Sequence, residues 1–230
     1  MKMRRDSTGF TIMELMIAIA LLSVILLASA EVFVNIGGLL TKGANLANVQ
    51  DDARNIVSDV SSSIEFGNNQ LETASYTYYS PEQLTVYAYC IGNVRYSYVI
   101  GFPATPPPHV LWKDLMQNDS VCFPLNLGEN NPDCGGLPLA TCSPSQTNSG
   151  LELTGPNMAL ANFTIQQEGT SQLYDISLGL VYGHADLFIQ KNGKPELVDG
   201  DNYQCSEAAG QQFCATSYLT TFATPRLAQN

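Results

Sequence analysis

The sequence predicts an α+β protein: a long N-terminal helix, apolar in front and amphipathic behind, packed on an antiparallel β-sheet head. Three observations predict it. Leu15 to Ala30 is an apolar run without charge, proline or glycine. Apolar and small residues then recur at steps of three and four as far as Ile64. From Leu71 the pattern changes to short runs rich in Tyr, Val, Thr and Ile, the residues of strands.

The 230 residues suffice for one domain plus an appended segment. The formal net charge of −11 argues against nucleic acid as a partner, because nucleic-acid binders need a basic face to displace counterions. Charge is unevenly placed. Lys2, Arg4, Arg5 and Asp6 carry a net +2, so the chain beyond residue 9 carries −13. A basic start before an apolar run marks an export signal held on the cytoplasmic side.

The apolar run extends from Phe10 to Ile36 and is hydrophobic on every helical face, as a membrane span must be. About 20 residues cross a bilayer, so its length suffices. An ordinary secretory signal is the main competitor, and Ala28-Ser29-Ala30 imitates its cleavage site. The length of the run and the carboxylate of Glu14 near its start oppose that reading. A charge at mid-membrane costs roughly 2.5–3.5 kcal/mol, which a disposable signal has no reason to carry.

The stretch Gly9-Phe10-Thr11-Ile12-Met13-Glu14-Leu15-Met16-Ile17-Ala18 resembles the class III signal of type IV prepilins and type II secretion pseudopilins. The resemblance implies cleavage between Gly9 and Phe10 by prepilin peptidase, N-methylation of Phe10, and retention of the apolar helix. It also implies that Glu14 pairs with the amine created on a neighbouring subunit. Opposite charges ~4 Å apart gain on the order of 4 kcal/mol at an effective dielectric of 20, enough to set the register between helices. The bland alternative is a carboxylate that snorkels to the interface. The implied partners are other pilins or pseudopilins in a hetero-oligomeric filament, and an inner-membrane platform protein with its motor. The implied location is a single pass of the inner membrane with an extracytoplasmic head, then a filament at the periplasm or cell surface.

The expected layout is a leader at 1–9, a membrane and filament-core helix at 10–36, an amphipathic helix half at 37–66, and a disulfide-stapled head at 67–230. Leu46, Val49, Ala53, Ile56, Val57, Val60 and Ile64 mark one helix face, and Gln50, Asp51, Asp52, Arg54, Asn55, Asp59 and Ser62 the other. Residues 10–66 as a helix would reach roughly 85 Å. Gly37-Gly38 is an expected bend or locally melted point, and Gly67 an expected C-cap. Strands are expected at Tyr76–Tyr79, Leu84–Tyr89, Arg95–Ile100, Ala161–Gln167, Leu173–Leu180 and Ala185–Ile189. Cys90-Ile91-Gly92-Asn93 is the expected hairpin link, and Asn192-Gly193 another turn.

Residues 101–157 are rich in Pro, Gly, Asn and Ser and read as a long functional or stapled loop. The six cysteines, Cys90, Cys122, Cys134, Cys142, Cys205 and Cys214, all lie beyond the apolar run, which suggests disulfides in an oxidising compartment. Sequence alone leaves fifteen pairings open. Proximity favours Cys134–Cys142 and Cys205–Cys214, leaving Cys90–Cys122.

The helix end Ile64-Glu65-Phe66-Gly67, the strand-rich head, the late Cys205/Cys214 pair and Thr220–Arg226 resemble W-type minor pilins, and in general plan the J-type pseudopilins. Glu14 argues against the K-type tip subunits, which lack the early glutamate.

No catalytic residue, cofactor site or metal site is expected. His109 and His184 lie in no metal pattern, and neither a nucleophile elbow nor a Walker loop occurs. Asp199-Gly200-Asp201-Asn202 lacks the full calcium-loop pattern and reads as a polar turn. Tyr76, Tyr78, Tyr87, Tyr89, Tyr96 and Tyr98 form i, i+2 pairs, each on one strand face. Packing over the long helix is the expectation, and an exposed contact face the alternative. Two functional classes remain: a structural or priming subunit of a pilus-like filament, and a filament-displayed binding module, adhesin or uptake receptor, using the 101–157 loop.

Overall fold

The computed structural model describes residues 11–67, 71–78, 84–103, 109–116, 121–125, 150–169, 171–198, 202–207 and 210–226. The order is one helix, α1 (Ile12–Phe66), followed by strands, an α+β pilin-like arrangement. The chain divides into two units, Met1–Thr41 and Lys42–Asn230.

In the first unit every described residue is helical from Ile12 onward, and none is buried. Its apolar side chains face outward all round; Leu27 is 73% exposed and Phe33 75%. Ser23, Ser29 and Thr41 donate their hydroxyls to the carbonyls of Ala20, Ile25 and Gly37, so each polar group is satisfied within the helix. The helix continues unbroken through Gly37-Gly38, so the local melting expected there as the alternative to a bend does not occur. Glycine lowers helix propensity but, unlike proline, removes no donor.

In the second unit α1 buries Val49, Ala53, Ile56, Val57, Val60 and Ile64. They join one core with residues of two antiparallel sheets. Leu46, expected on this face, stays 37% exposed. Gly67 does not take the left-handed C-cap conformation; instead, a Cβ there would press on the Ser63 carbonyl.

The first sheet has the order β1 (Leu71–Tyr78), β2 (Leu84–Ile91), β3 (Val94–Tyr98), β4 (Leu111–Leu115), β5 (Leu151–Glu152). Cys90 and Ile91 pair within the ladder, so the hairpin link shortens to Gly92-Asn93, with Gly92 at φ 60°. β1 starts earlier than its composition suggests, because full pairing with β2 holds Leu71 to Ser75 in the sheet. Two strands, β4 and β5, lie inside the stretch expected to be loop.

The second sheet has the order β12, β7, β6, from β6 (Met158–Gln167), β7 (Tyr174–Tyr182) and β12 (Ala215–Ala223). β12 was not expected as a strand. Leu160 and Phe163 both face the core although three residues apart, because a bulge between Leu160 and Asn162 inserts one residue and flips the parity. Ala185–Leu187 is a 3-10 turn rather than a strand, closed by the Leu187 amide donating to the His184 carbonyl. Phe188 then drops into a cluster with Tyr203, Phe102 and Cys214.

Two ribbons complete the fold: β8 (Gln190–Lys191) with β9 (Lys194–Pro195), and β10 (Leu197–Val198) with β11 (Asn202–Tyr203). The turn at Asn192-Gly193 is found, with positive φ at both residues, 54° and 74°.

Candidate functional site

Gly9 and Phe10 lie outside the described residues, as do Tyr79 and Asp199 to Asp201. The helix start just beyond the expected cut is defined. Thr11 is its N-cap. The Thr11 amide and hydroxyl each donate to Oε2 of Glu14 at 3.1 Å, and the Glu14 amide donates back to Thr11 Oγ1 at 3.2 Å. This is a reciprocal capping box, Thr-x-x-Glu, which satisfies amides that α1 leaves without an intrahelical partner. Glu14 stands out in the sequence for its charge, but the Thr11/Glu14 spacing also encodes this local role, which the charge alone does not reveal.

Polar chemistry in the second unit fixes the first sheet to the helix. Tyr96 on β3 has its hydroxyl 2.7 Å from Ser63 Oγ and donates to Asp59 Oδ2 at 2.8 Å. Lys113 on β4 donates to Asp59 Oδ1 at 2.7 Å and lies over the Tyr96 ring. Burial pushes the Tyr96 hydroxyl pKa far above the ordinary tyrosine value, and the Asp59 charge adds to the rise. Tyr89 and Tyr98 stack in the same core, whereas Tyr87 is 38% exposed. Three of the expected tyrosines therefore pack in the core with α1. Tyr76 instead packs on Phe123 across the sheet, and the Tyr78 side chain is not described.

The opposite face of this sheet carries a buried ion pair. Arg95 donates Nε to Asp114 Oδ1 at 3.0 Å and Nη2 to Oδ2, with 4% and 0% of the side chains exposed. Arg95 Nη1 reaches the Phe123 carbonyl at 2.9 Å, and the Leu125 amide donates to Ser97 Oγ at 3.1 Å. A disulfide joins Cys90 to Cys122. Residues 121–125 are thus bound to β2 and β3 covalently and through the guanidinium. A second disulfide joins Cys205 to Cys214. Cys134 and Cys142 lie outside the described residues.

His109 Nδ1 lies 3.2 Å from Glu152 Oε2, with its ring against Trp112. Glu152 Oε1 accepts from the Leu111 amide at 3.0 Å and from Thr154 Oγ1. The imidazole thus braces β4 against β5. His184 precedes the 3-10 turn and makes no side-chain cap. Among the described residues no three His, Cys, Asp or Glu side chains gather as metal ligands. Among the described residues this geometry holds elements together.

The family described as the prokaryotic N-terminal methylation motif matches residues 4–30. The chain carries a prepilin-type methylation motif. The motif supports a type IV pilin-like precursor and implies processing by a prepilin peptidase and assembly with other pilins. It points to a structural subunit rather than an enzyme. The helix α1, whose start the motif overlaps, is long and apolar enough to cross a membrane, as anchoring of a pilin-like chain before assembly requires. No curated protein and no solved structure matches the chain.

Proposed function

We propose that the chain is a minor type IV pilin or pseudopilin, a structural or priming subunit of a pilus-like filament. It is cut between Gly9 and Phe10, N-methylated on Phe10, anchored through residues 10–36, and then drawn into the filament with its head extracytoplasmic. One observation carries the reading: the methylation motif at residues 4–30 overlaps the start of an apolar helix whose described side chains are exposed on every face. That helix needs a membrane first and neighbouring helices later. Glu14 supplies the register by pairing with the Phe10 amine of a neighbour, exchanging its bonds to Thr11 for an ion pair. Cleavage at Gly9 creates that amine while removing the cationic anchor of Lys2, Arg4 and Arg5.

Mass spectrometry of the mature amino terminus tests the processing step. The expected terminus is methylated Phe10, and a terminus after Ala30 would overturn the reading. Glu14→Val tests the register: the variant is expected to be processed yet depleted from filaments. Undiminished incorporation would sink that role.

The alternative of a displayed binding head needs a narrower deletion than residues 101–157. That stretch contains β4, β5 and the fully buried Leu111 and Leu125, so its loss would break the core. Deletion of 126–149 is the discriminating variant. Intact filaments with lost surface adhesion would favour the binding module.

A further inference from the structure

The second sheet turns one face to α1 and the other outward. Ile165, Ile176, Leu178 and Ala223 lie in the core with the helix. Side chains alternate along a strand, so the residues between these face outward. They form two rungs across all three strands. Phe222 of β12 pairs with Asp175 of β7, which pairs with Gln166 of β6. Thr220 pairs with Ser177, which pairs with Thr164. Phe222 is 59% exposed, and none of the six is buried. One rung further on, the Tyr218 ring lies over Gly179 and ends the open part of the face. Among the described residues, none of the five polar side chains in the two rungs makes a hydrogen bond. Cross-strand hydroxyls often bond one another; these do not. The Asp175 Oδ1 atom is enclosed and accepts nothing, an uncommon state for a carboxylate oxygen.

Charge and chemistry select the partner. The chain carries a formal −11, yet Asp175 is the sole charge of the six. A polyanion is repelled by that net charge, and a polycation finds denser acidic surface elsewhere on the chain. A protein interface gathers apolar groups at its centre, whereas the row Thr220, Ser177 and Thr164 is all hydroxyl. Hydroxyls and amides both donate and accept, which matches a ligand built of hydroxyls that do the same. A sugar ring also offers a C–H face to the exposed ring of Phe222. Three strands about 4.8 Å apart make each rung about 10 Å across, room for a short run of sugar units. We infer that the outer face of the second sheet binds a neutral polysaccharide. Phe222 is the platform, and Asp175, Gln166 and the hydroxyl row are the polar contacts. This surface is separate from residues 101–157.

Native affinity electrophoresis of the full-length chain, in a detergent without a sugar headgroup, tests this. The gels carry dextran, laminarin, mannan or, as the charged control, alginate. Retardation is expected in at least one neutral gel and not in alginate. Phe222→Ala and Asp175→Ala are expected to weaken it about tenfold. Thr220→Lys, at an exposed position of β12, keeps the fold and is expected to weaken it as much. No retardation in any neutral gel overturns the inference. So does equal retardation in alginate, or undiminished retardation of Phe222→Ala or Thr220→Lys. Capture of another protein by a photo-crosslinker at Thr220 in intact cells assigns the face to a protein partner and overturns the inference as well.

Discussion

Tyr96 donates its hydroxyl proton to Asp59 across 2.8 Å, from the middle of β3 to the amphipathic half of α1. It is the polar contact around which Ser63 and Lys113 are arranged. Tyr96→Phe keeps the ring in the core and removes both hydroxyl contacts. The expected loss is about 1–3 kcal/mol. Denaturant unfolding of the detergent-solubilised chain, followed by fluorescence of Trp112, the single tryptophan, reads it. Stability within error of wild type would show that the contact is incidental.

Arg95 and Asp114 behave differently because both are buried. Removing either partner alone leaves an uncompensated charge, and Arg95→Ala or Asp114→Ala is expected to cost about 3–5 kcal/mol. The paired change Arg95→Met with Asp114→Leu is expected to recover most of that loss. A double variant as unstable as the singles would place the contribution in the bond from Arg95 to the Phe123 carbonyl instead.

The stability of the head is expected to fall in alkali. Burial pushes the Tyr218 hydroxyl pKa up to about 12, and burial also raises those of Tyr98 and Tyr96. Their unfolded counterparts titrate near 10. Above about pH 10 the unfolded chain loses protons that the folded chain keeps, so stability falls as pH rises through the native values. Below that range their contribution is complete. Tyr218→Phe gives up the hydroxyl contacts to the Tyr203 backbone, at 2.7 and 3.1 Å, and is less stable at neutral pH. Its decline between pH 10 and 12 is expected to be shallower, measured as the slope of unfolding midpoint against pH.

The two disulfides among the described residues are expected to differ. Cys90–Cys122 spans 32 residues and Cys205–Cys214 spans 9. Chain-entropy arguments give about 3.5 kcal/mol for the longer loop and about 2.5 for the shorter. Paired Cys→Ala variants compared in the same unfolding assay check the order. Greater loss at Cys205/Cys214 would mean that packing around Phe188 and Tyr203 outweighs loop closure.

The long helix, its buried stripe and the central hairpin were legible in the sequence because period and turn chemistry agree there. Val49 to Ile64 keep helical spacing, and Gly92 supplies the positive φ the turn needs. β4 and β5 were hidden in a proline-rich stretch, since short strands gain their order from partners distant in sequence. β12 was hidden because Ala215-Thr216-Ser217 is weak in strand formers, and pairing with β7 holds it. Ala185 to Ile189 looked like a strand by composition, but the His184 carbonyl closes a turn there. Gly9, Phe10 and Glu14 stood out through the motif. The Thr11 cap lies within the same ten residues and is encoded by its three-residue spacing to Glu14, a signal overshadowed by the charge.

Leu125 and Gly150 are fixed posts on one rung of the first sheet. Leu125 is tied to Ser97, Ser97 pairs with Trp112, and Gly150 lies so close to the Trp112 indole that a Cβ would clash. Both posts converge on Trp112, so a side chain added at Gly150 would push the indole and disturb its pairing with Ser97. Trp112 is therefore a built-in reporter of this rung, its emission following the state of both posts.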